Sequence, residues 1–168
     1  VLRRNGLSAG MTLLDVAAGT GLVAAEGLRL IGPAGRLLAL DPSPGMLAEL
    51  RKKLDVETIE AYAESIPLPD NHVDFVSMGY ALRHVTDLQA TFRECLRVLK
   101  PGGTACILEI VNPENRLLRA MLKFHLLNLV PALVRLLLRR PDTAELSKYH
   151  WATIEACVPS ATIQKAFE

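Results

Sequence analysis

LLDVAAGTGL, residues 13–22, is the stretch that decides the fold of this chain. It belongs to an apolar run that ends in a glycine-rich turn, so we predict a buried strand over residues 12–18. Residues 21–31 continue at helical spacing until Gly32, Pro33 and Gly35 stop them, which predicts a helix directly after the turn. A strand, a tight turn and a helix in this order form the first half of a βαβ unit.

The same alternation continues along the next ninety or so residues. Further buried strands are predicted at 36–41 and 73–79, a short and partly charged edge strand at 57–61, and a fifth strand at 104–111. Helices are predicted between most of them. Strands that alternate with helices favour an α/β fold with a Rossmann-like, doubly wound parallel sheet and right-handed crossovers.

Local signals predict how two of these helices begin. Ser43 is a good N-cap for the second helix, on which Glu49 is predicted to pair with Lys53. Thr86 and Gln89 form a capping box, which predicts the start of the helix that precedes strand five.

Composition places the 168-residue chain among single globular domains. Half of its residues are hydrophobic and 22% are charged, which excludes a disordered or fibrous protein. The net charge of +1 gives no global case for nucleic-acid binding. Cys95, Cys106 and Cys157 lack CxxC spacing, so we expect reduced thiols in a cytosol-like compartment and no metal site.

Candidate ligand-binding residues follow the first two strands. Gly19 and Gly21 allow the backbone to turn tightly and approach a ligand, and the next helix offers free N–H groups. Asp41 ends the second strand, where a carboxylate commonly accepts hydrogen bonds from two ribose hydroxyls. Asp15 places another carboxylate beside the turn, although capping of the turn is an alternative role. Since ligands bind at the carboxyl ends of parallel strands, we predict a nucleoside-type cofactor here.

Two cofactor classes fit this turn. Gly19, Gly21 and Ala24 satisfy a dinucleotide fingerprint, so NAD is one alternative. Asp15 argues against it, because an acid just ahead of the glycines would repel a pyrophosphate at the helix N-terminus. S-adenosylmethionine instead carries an ammonium and a sulfonium, which a nearby carboxylate would stabilise.

Longer motifs give the chain a specific family resemblance. LLDVAAGTGL (13–22) resembles motif I of class I methyltransferases, with Ala17 where glycine is common. AESIPLPDNHVDFVSMGYALRHVTD (63–87) and VLKPGG (98–103) resemble the ubiquinone/menaquinone-biosynthesis C-methyltransferase family. This resemblance implies strand order 3-2-1-4-5 and S-adenosylmethionine as cofactor. It also implies methyl transfer to a small hydrophobic acceptor (a quinol, a phenol or a lipid-like molecule), with C-methylation slightly favoured.

The resemblance also implies which residues contact the cofactor. Around the methionine end these are Asp15, Ala17, Gly19 and Gly21, and Asp41 would bind the ribose. Tyr62 departs from the family, which usually has Asp or Asn there to meet the adenine amine. The remaining implied contacts, around the adenine and beneath the cofactor, are Pro42, Met46, Ala63, Glu64, Gly79 and Tyr80. For Met46 a place in the core is the alternative.

Candidate catalytic residues come from two regions. Arg83 and His84 match the family's Arg-Asn pair, with histidine replacing asparagine. A carbon or phenol nucleophile must lose a proton, and the candidate bases are His84, His125, Tyr149 and His150. Arg83 stays protonated, so its implied role is to stabilise a developing phenolate or to orient a water. The sequence leaves this choice open, and structural roles are the alternatives for His84 and Tyr149.

A basic, leucine-rich segment follows strand five. Residues 116–140 hold six cations and residues 115–141 no acid, so the rest of the chain sums to −5. Pro131 and the interspersed charges argue against a transmembrane span and predict two amphipathic helices. We predict a helical lid at 113–141 over an apolar substrate pocket, within one domain of residues 1–168. Peripheral contact with anionic lipid through 116–140 is a further hypothesis, and a helical pair packed on the domain is the alternative.

The remaining expectations concern the chain ends and the cell compartment. The sixth and seventh strands usual in class I methyltransferases have no counterpart in the 168 residues, so we expect truncation at both ends. The exposed edge of strand five makes a homodimer one hypothesis. We expect a cytoplasmic enzyme, peripheral to the inner membrane surface if the lipid hypothesis holds. The alternatives are an NAD-dependent oxidoreductase and a non-catalytic module that binds cofactor or lipid.

Overall fold

The computed structural model describes residues 1–109, 115–138, 143–155 and 163. The chain divides into two compact units, one built on Val1–Glu109 and the other within Ile110–Lys165. Each unit has its own secondary structure. The single domain and the lid at 113–141 stay predictions.

The first unit contains a five-stranded parallel sheet in the order β3-β2-β1-β4-β5. This confirms the predicted α/β class and the predicted strand order 3-2-1-4-5. Its strands are β1 (Thr12–Val16), β2 (Arg36–Asp41), β3 (Glu57–Glu60), β4 (Val73–Gly79) and β5 (Leu99–Leu108). Its α-helices are α1 (Leu22–Ile31), α2 (Pro44–Arg51) and α3 (Leu88–Val98), and short 3₁₀ helices cover Leu2–Asn5 and Leu82–His84.

The core lies on both faces of the central strands. Leu13, Leu14 and Val16 of β1 are fully buried, as expected for a parallel strand covered on both faces by helices. Gly27 lets α1 approach β1 closely, because a Cβ at this position would lie 2.3 Å from Leu13 Cδ2. This packing fixes the start of α1 against the end of β1, where the glycine-rich turn lies.

Local details of the first unit correct three predictions. Asp87, not Thr86, is the N-cap of α3, and its side chain accepts a hydrogen bond from Ala90 N at 2.9 Å. On α2, Glu49 pairs with Lys52 at 2.6 Å rather than with Lys53. Strand β5 begins at residue 99, five residues earlier than predicted, with an irregular register against β4 in the VLKPGG segment. The predicted N-cap of α2 is confirmed, because Ser43 Oγ accepts a hydrogen bond from Met46 N at 3.3 Å. The three corrected details concern the ends of helices and strands and the partners of side chains, which sequence patterns define less sharply than the elements themselves.

The second unit is helical. Its elements are α4 (Arg116–Phe124), a π-helical segment (His125–Leu129), α5 (Val130–Leu138) and α6 (Thr143–Glu155). The sequence predicts that Pro131 breaks or kinks this run. The structure shows no break, because the helical path continues from α4 through the π-helical segment into α5. A π turn is a known way to accommodate a proline, which cannot donate to the preceding turn.

One helix among the described residues, Arg116–Val134, is long and apolar enough to cross a membrane by length and composition. In the second unit, Lys123 Nζ lies 5.5 Å from the ring centroid of Trp151, so α4 and α6 are in contact. Ser160 is a good N-cap, so the sequence also predicts a final helix from Ala161 onward; apart from residue 163, this segment lies outside the described residues.

Candidate cofactor site

The glycine-rich turn after β1 adopts a backbone that favours glycine at three positions. Ala17, Gly19 and Gly21 have φ of +54°, +55° and +89°. Ala18 N donates to Leu40 O at 2.9 Å, and Gly21 N donates to Ala18 O at 2.9 Å, so the turn is tied to β2 and to itself. Ala17 is strained in this conformation because its Cβ crowds the following carbonyl oxygen. The position where the family commonly has glycine is therefore one where the backbone geometry favours it.

Asp41 holds this turn from the end of β2. Its Oδ2 accepts a hydrogen bond from Gly19 N at 2.8 Å, and its Oδ1 accepts one from Ser43 N at 2.9 Å. The carboxylate is largely buried. Each carboxylate oxygen has two lone-pair sites, so Asp41 retains capacity to accept ribose hydroxyls. Asp41 thus has a structural role that the sequence did not indicate, in addition to the predicted one.

Asp15 is a buried carboxyl group in the centre of the sheet, between β2 and β4. Ser77 Oγ donates to Asp15 Oδ1 at 2.6 Å, while Oδ2 is buried without a hydrogen-bond partner among the residues that the structure describes. Burial raises the pKa of Asp15 to about 7, an effect that the Ser77 hydrogen bond only partly offsets. A buried carboxyl group with an unpaired oxygen would gain most from a cation placed against it.

A small cavity opens where β1, β2 and β3 end. Its volume is about 90 Å³, below the roughly 300–1,000 Å³ of sites that enclose a whole small molecule. It would therefore receive one part of a cofactor. The lining residues are Ala17, Leu40, Pro42, Tyr62, Ala63, Glu64, Ala81, His84 and Val85. Five of the predicted site residues meet here: Ala17, Pro42, Ala63, Glu64 and His84.

Glu64 is held in place at this cavity by the loop before α3. Its Oε1 accepts hydrogen bonds from Thr86 N at 3.0 Å, Thr86 Oγ1 at 2.9 Å and Asp87 N at 3.4 Å. Burial favours a higher pKa for Glu64, but these hydrogen bonds outweigh it and leave the pKa below its usual value. Glu64 is therefore an anionic, rigidly positioned acceptor on the cavity wall.

Arg83 and Glu109 form a buried ion pair at the ends of β4 and β5. Arg83 Nη1 lies 3.3 Å from Glu109 Oε1, and the two side chains are only 10% and 4% exposed. Glu109 Oε2 also accepts from Leu82 N at 3.1 Å. Arg83 Nε is buried and has no hydrogen-bond partner within the described part of the chain. Sequence reasoning missed Glu109 because the predicted fifth strand ran to residue 111, whereas β5 ends at Leu108 and leaves Glu109 at the ligand-binding edge.

The other predicted cofactor contacts lie around the same edge but do not line the cavity. Gly79 ends β4, and a Cβ there would lie 2.6 Å from Val23 Cγ2, so α1 requires glycine at this position. Tyr80 has φ of +58° and is 41% exposed. Met46 is 46% exposed on α2, so it is not a core residue. These exposed side chains are available to a ligand at the sheet edge.

The candidate bases belong to two different units of the chain. His84 belongs to the first unit and is exposed at the cavity. His125 and Tyr149 are exposed residues of the second unit, and the side chain of His150 is outside the described residues. Within the described part of the chain, no cluster of three or more His, Cys, Asp or Glu side chains could hold a metal ion.

This arrangement fits S-adenosylmethionine. The unpaired Asp15 oxygen suits a cationic group, and a Cβ at Gly19 would meet no described atom within 4 Å, which leaves open space above the turn. Asp41 has unused acceptor capacity for ribose hydroxyls. The cavity between Pro42, Tyr62 and Ala63 offers apolar walls for a planar base.

Comparisons with known proteins agree with this geometry. The chain matches the ubiE/COQ5 methyltransferase family over residues 1–165. It is 42% identical over 121 residues to the ubiquinone/menaquinone biosynthesis C-methyltransferase UbiE of Pseudomonas putida, covering 68% of this chain and 47% of that protein. It is 35% identical over 147 residues to UbiE of Shewanella halifaxensis, covering 83% of this chain and 59% of that protein. The chain thus spans about half the length of the curated relatives that it matches.

A solved structure gives the same result for the fold. A SAM-dependent methyltransferase from Aquifex aeolicus superposes with a TM-score of 0.63 at 30% identity, covering 68% of this chain and 64% of that one. The predicted resemblance, the predicted class of fold and the predicted cofactor class are confirmed. The chain belongs to the ubiE/COQ5 methyltransferase family, and its fold is that of S-adenosylmethionine-dependent methyltransferases.

Proposed function

We propose that this protein transfers a methyl group from S-adenosylmethionine to a small hydrophobic acceptor of the quinol, phenol or lipid-like class. The observation that carries the proposal is the pair of buried carboxylates, Asp15 and Asp41, at the glycine-rich turn. Transfer to carbon is favoured over transfer to oxygen, because the relatives at 35–42% identity are named C-methyltransferases.

The residues at the sheet edge bind and orient the reactants. S-adenosylmethionine, when bound, supplies a methyl group already activated for displacement, so the protein contributes mainly position and exclusion of water. In this proposal Asp15 binds the cationic end, Asp41 binds the ribose, and the walls formed by Pro42, Tyr62 and Ala63 hold the adenine.

The acceptor must become more nucleophilic at the moment of reaction. We assign Arg83 to the developing phenolate, since its Nε–H is unpaired in the described structure and its charge is held by Glu109. Glu109 is then a positioning residue that keeps Arg83 at the ends of β4 and β5. His84, exposed at the cavity, is our first choice to accept the acceptor's proton. Tyr149 and His150 remain candidates for substrate contact.

A non-catalytic binding module is the main alternative. The residues at the glycine-rich turn serve cofactor binding in this proposal, and binding alone does not require turnover. The NAD-dependent oxidoreductase is disfavoured by the family match and by Asp15, whose charge opposes a pyrophosphate.

The test separates cofactor binding from turnover. We would titrate the 168-residue chain calorimetrically with S-adenosylhomocysteine and with NADH, and repeat both titrations with Asp41→Ala and with Asp55→Asn, which alters an exposed carboxylate elsewhere. We expect S-adenosylhomocysteine alone to bind, Asp41→Ala to weaken it and Asp55→Asn to leave it unchanged.

Turnover is measured next with a short-chain prenylated hydroquinone and labelled S-adenosylmethionine. Label appearing on a ring carbon of the quinol supports C-methylation, and label on oxygen overturns that choice of atom. Cofactor binding without label transfer to any quinol or phenol would favour the binding module. Binding of NADH alone would refute the methyltransferase proposal.

A further inference from the structure

Among the described residues that line the small cavity at the ends of β1, β2 and β3, the polar side chains are those of Tyr62, Glu64 and His84. The Tyr62 hydroxyl and a neutral His84 ring can each donate or accept a hydrogen bond, so neither distinguishes a donor on a ligand from an acceptor. An ionised Glu64 can only accept. Burial acts to raise the pKa of Glu64, but hydrogen bonds from Thr86 and Asp87 hold it below its usual value, so the side chain is anionic at neutral pH.

The two carboxylate oxygens of Glu64 have different surroundings. The hydrogen bonds from Thr86 N, Thr86 Oγ1 and Asp87 N all go to Oε1. No other residue within the described part of the chain donates to Oε2. Because donors on Oε1 hold the group in place, Oε2 is a fixed acceptor that remains available to a ligand.

The loop that carries Glu64 is also anchored two residues farther along the chain. Ile66 N donates to Glu94 Oε2 at 2.8 Å, and Ile66 O accepts from Arg97 Nη2 at 2.8 Å. Arg97 Nη1 donates to Leu68 O at 2.7 Å. Glu94 and Arg97 both belong to α3, so this helix fixes the loop that follows β3. A group that is fixed before its ligand arrives loses little conformational freedom on binding, which strengthens recognition.

We propose that Glu64 selects the base of the cofactor by accepting a hydrogen bond from the 6-amino group of adenine through Oε2. A base that carries an oxygen at this position, such as hypoxanthine, would place an acceptor against an anionic acceptor. This inference rests on the proposed function, in which Pro42, Tyr62 and Ala63 of the same cavity hold the adenine. It adds a residue that determines which base is bound.

Tyr62 is the competing residue for this role. It lines the same cavity, but its side chain is 70% exposed. Its hydroxyl group can turn to meet either an amino group or an oxygen, so recognition through Tyr62 would tolerate both bases. A fixed acceptor that cannot donate would not, and this difference favours Glu64 as the selecting residue.

Glutamine at position 64 should change the preference for the base. Thr86 N and Asp87 N still need an acceptor, so we expect the amide oxygen of Glu64→Gln to take the place of Oε1. The amide NH₂ group then takes the place of Oε2. The cavity would present a donor where the wild type presents an acceptor, and a base with an oxygen at position 6 would be favoured.

The experiment is calorimetric titration of the 168-residue chain with S-adenosylhomocysteine and with S-inosylhomocysteine, whose base has an oxygen in place of the amino group. The measured quantity is the ratio of the two affinities. We expect the wild type to bind S-adenosylhomocysteine roughly ten- to hundredfold more tightly, as for a hydrogen bond to a charged group. Glu64→Gln should lower this ratio to about one or reverse the preference.

Two control variants separate this effect from a general loss of charge and from Tyr62. Glu60→Gln removes an exposed carboxylate four residues earlier and should keep the wild-type ratio. Tyr62→Phe should also keep the ratio, even where both affinities fall through altered contact with the base. A ratio that falls equally in Glu60→Gln, or that is lost in Tyr62→Phe, would overturn the role of Glu64.

The wild type alone also tests the inference, so a variant that fails to fold does not leave it undecided. Equal binding of the two ligands by the wild type, or a ratio that Glu64→Gln does not change, overturns this inference and leaves the proposed function standing. A wild type that does not bind S-adenosylhomocysteine overturns the proposed function and this inference together.

Discussion

Replacement of Asp15 by asparagine tests the electrostatics of the candidate site most directly. The Asp15 carboxyl group has a pKa of about 7 in the folded protein, against an ordinary value of 3.8, because burial disfavours its charged form. Asparagine has the same shape and cannot ionise. Its Oδ1 can still accept the hydrogen bond from Ser77, so the geometry of the pair is retained.

The magnitude follows from proton linkage. Between pH 3.8 and 7 the folded state holds a proton on Asp15 that the unfolded state has released, so the free energy of unfolding falls as pH rises. The slope approaches about 1.4 kcal/mol per pH unit, and the whole range corresponds to about 4 kcal/mol. Above pH 7 both states are ionised and the effect is constant. Between pH 5 and pH 8 the wild type should therefore lose about 2–3 kcal/mol relative to Asp15→Asn.

The assay is urea unfolding of both proteins at pH 5, 6, 7 and 8. The two proteins have all other titrating groups in common. The difference between their free energies of unfolding therefore reports the contribution of the Asp15 proton. Asp55→Asn, at an exposed position, should run parallel to the wild type. A difference between wild type and Asp15→Asn that stays constant within about 0.5 kcal/mol across this range would refute the reasoning.

The same carboxyl group should make cofactor binding depend on pH. A cation bound against Asp15 favours its ionised form, so binding below pH 7 must expel a proton and becomes weaker. Calorimetry should show S-adenosylhomocysteine binding roughly tenfold more weakly at pH 6 than at pH 8. Asp15→Asn should remove this dependence, and a wild-type affinity that does not change with pH would show that the ligand's cation lies elsewhere.

Three further substitutions test the surrounding geometry. Ala17→Gly should raise the free energy of unfolding by about 1 kcal/mol, because glycine adopts the observed φ of +54° without strain; a lower urea midpoint would contradict this. Asp41→Ala should weaken S-adenosylhomocysteine binding by about 1–3 kcal/mol in calorimetry, since it removes a ribose acceptor and frees Gly19 N, and an unchanged affinity would place the cofactor elsewhere. Glu109→Gln should destabilise the fold by about 3 kcal/mol by leaving the buried Arg83 charge uncompensated, while cofactor affinity stays the same; weakened binding would instead indicate that Glu109 contacts the cofactor.

The sequence by itself determined the layout of the sheet and the class of cofactor. Buried strands in parallel sheets are near-continuous apolar runs, so RLLALD and VDFVSMG were predicted with their observed bounds. The glycine-rich turn and Asp41 stood at strand ends, where backbone conformation restricts residue choice. These signals are local in the chain, which is why they could be interpreted without a structure.

The tertiary structure alone decided which groups meet. Ser77 reaches Asp15 across 62 positions in the chain, and Glu109 reaches Arg83 across 26, so no local pattern indicated either pair. A long-range contact also explains why Asp87 and not Thr86 caps α3. The Thr86 hydroxyl donates its hydrogen bond to Glu64, which lies in the loop after β3. Side-chain charge states and partners depend on burial and on long-range contacts. Those contacts exist only once the parallel strands have brought their carboxyl ends to one edge of the sheet.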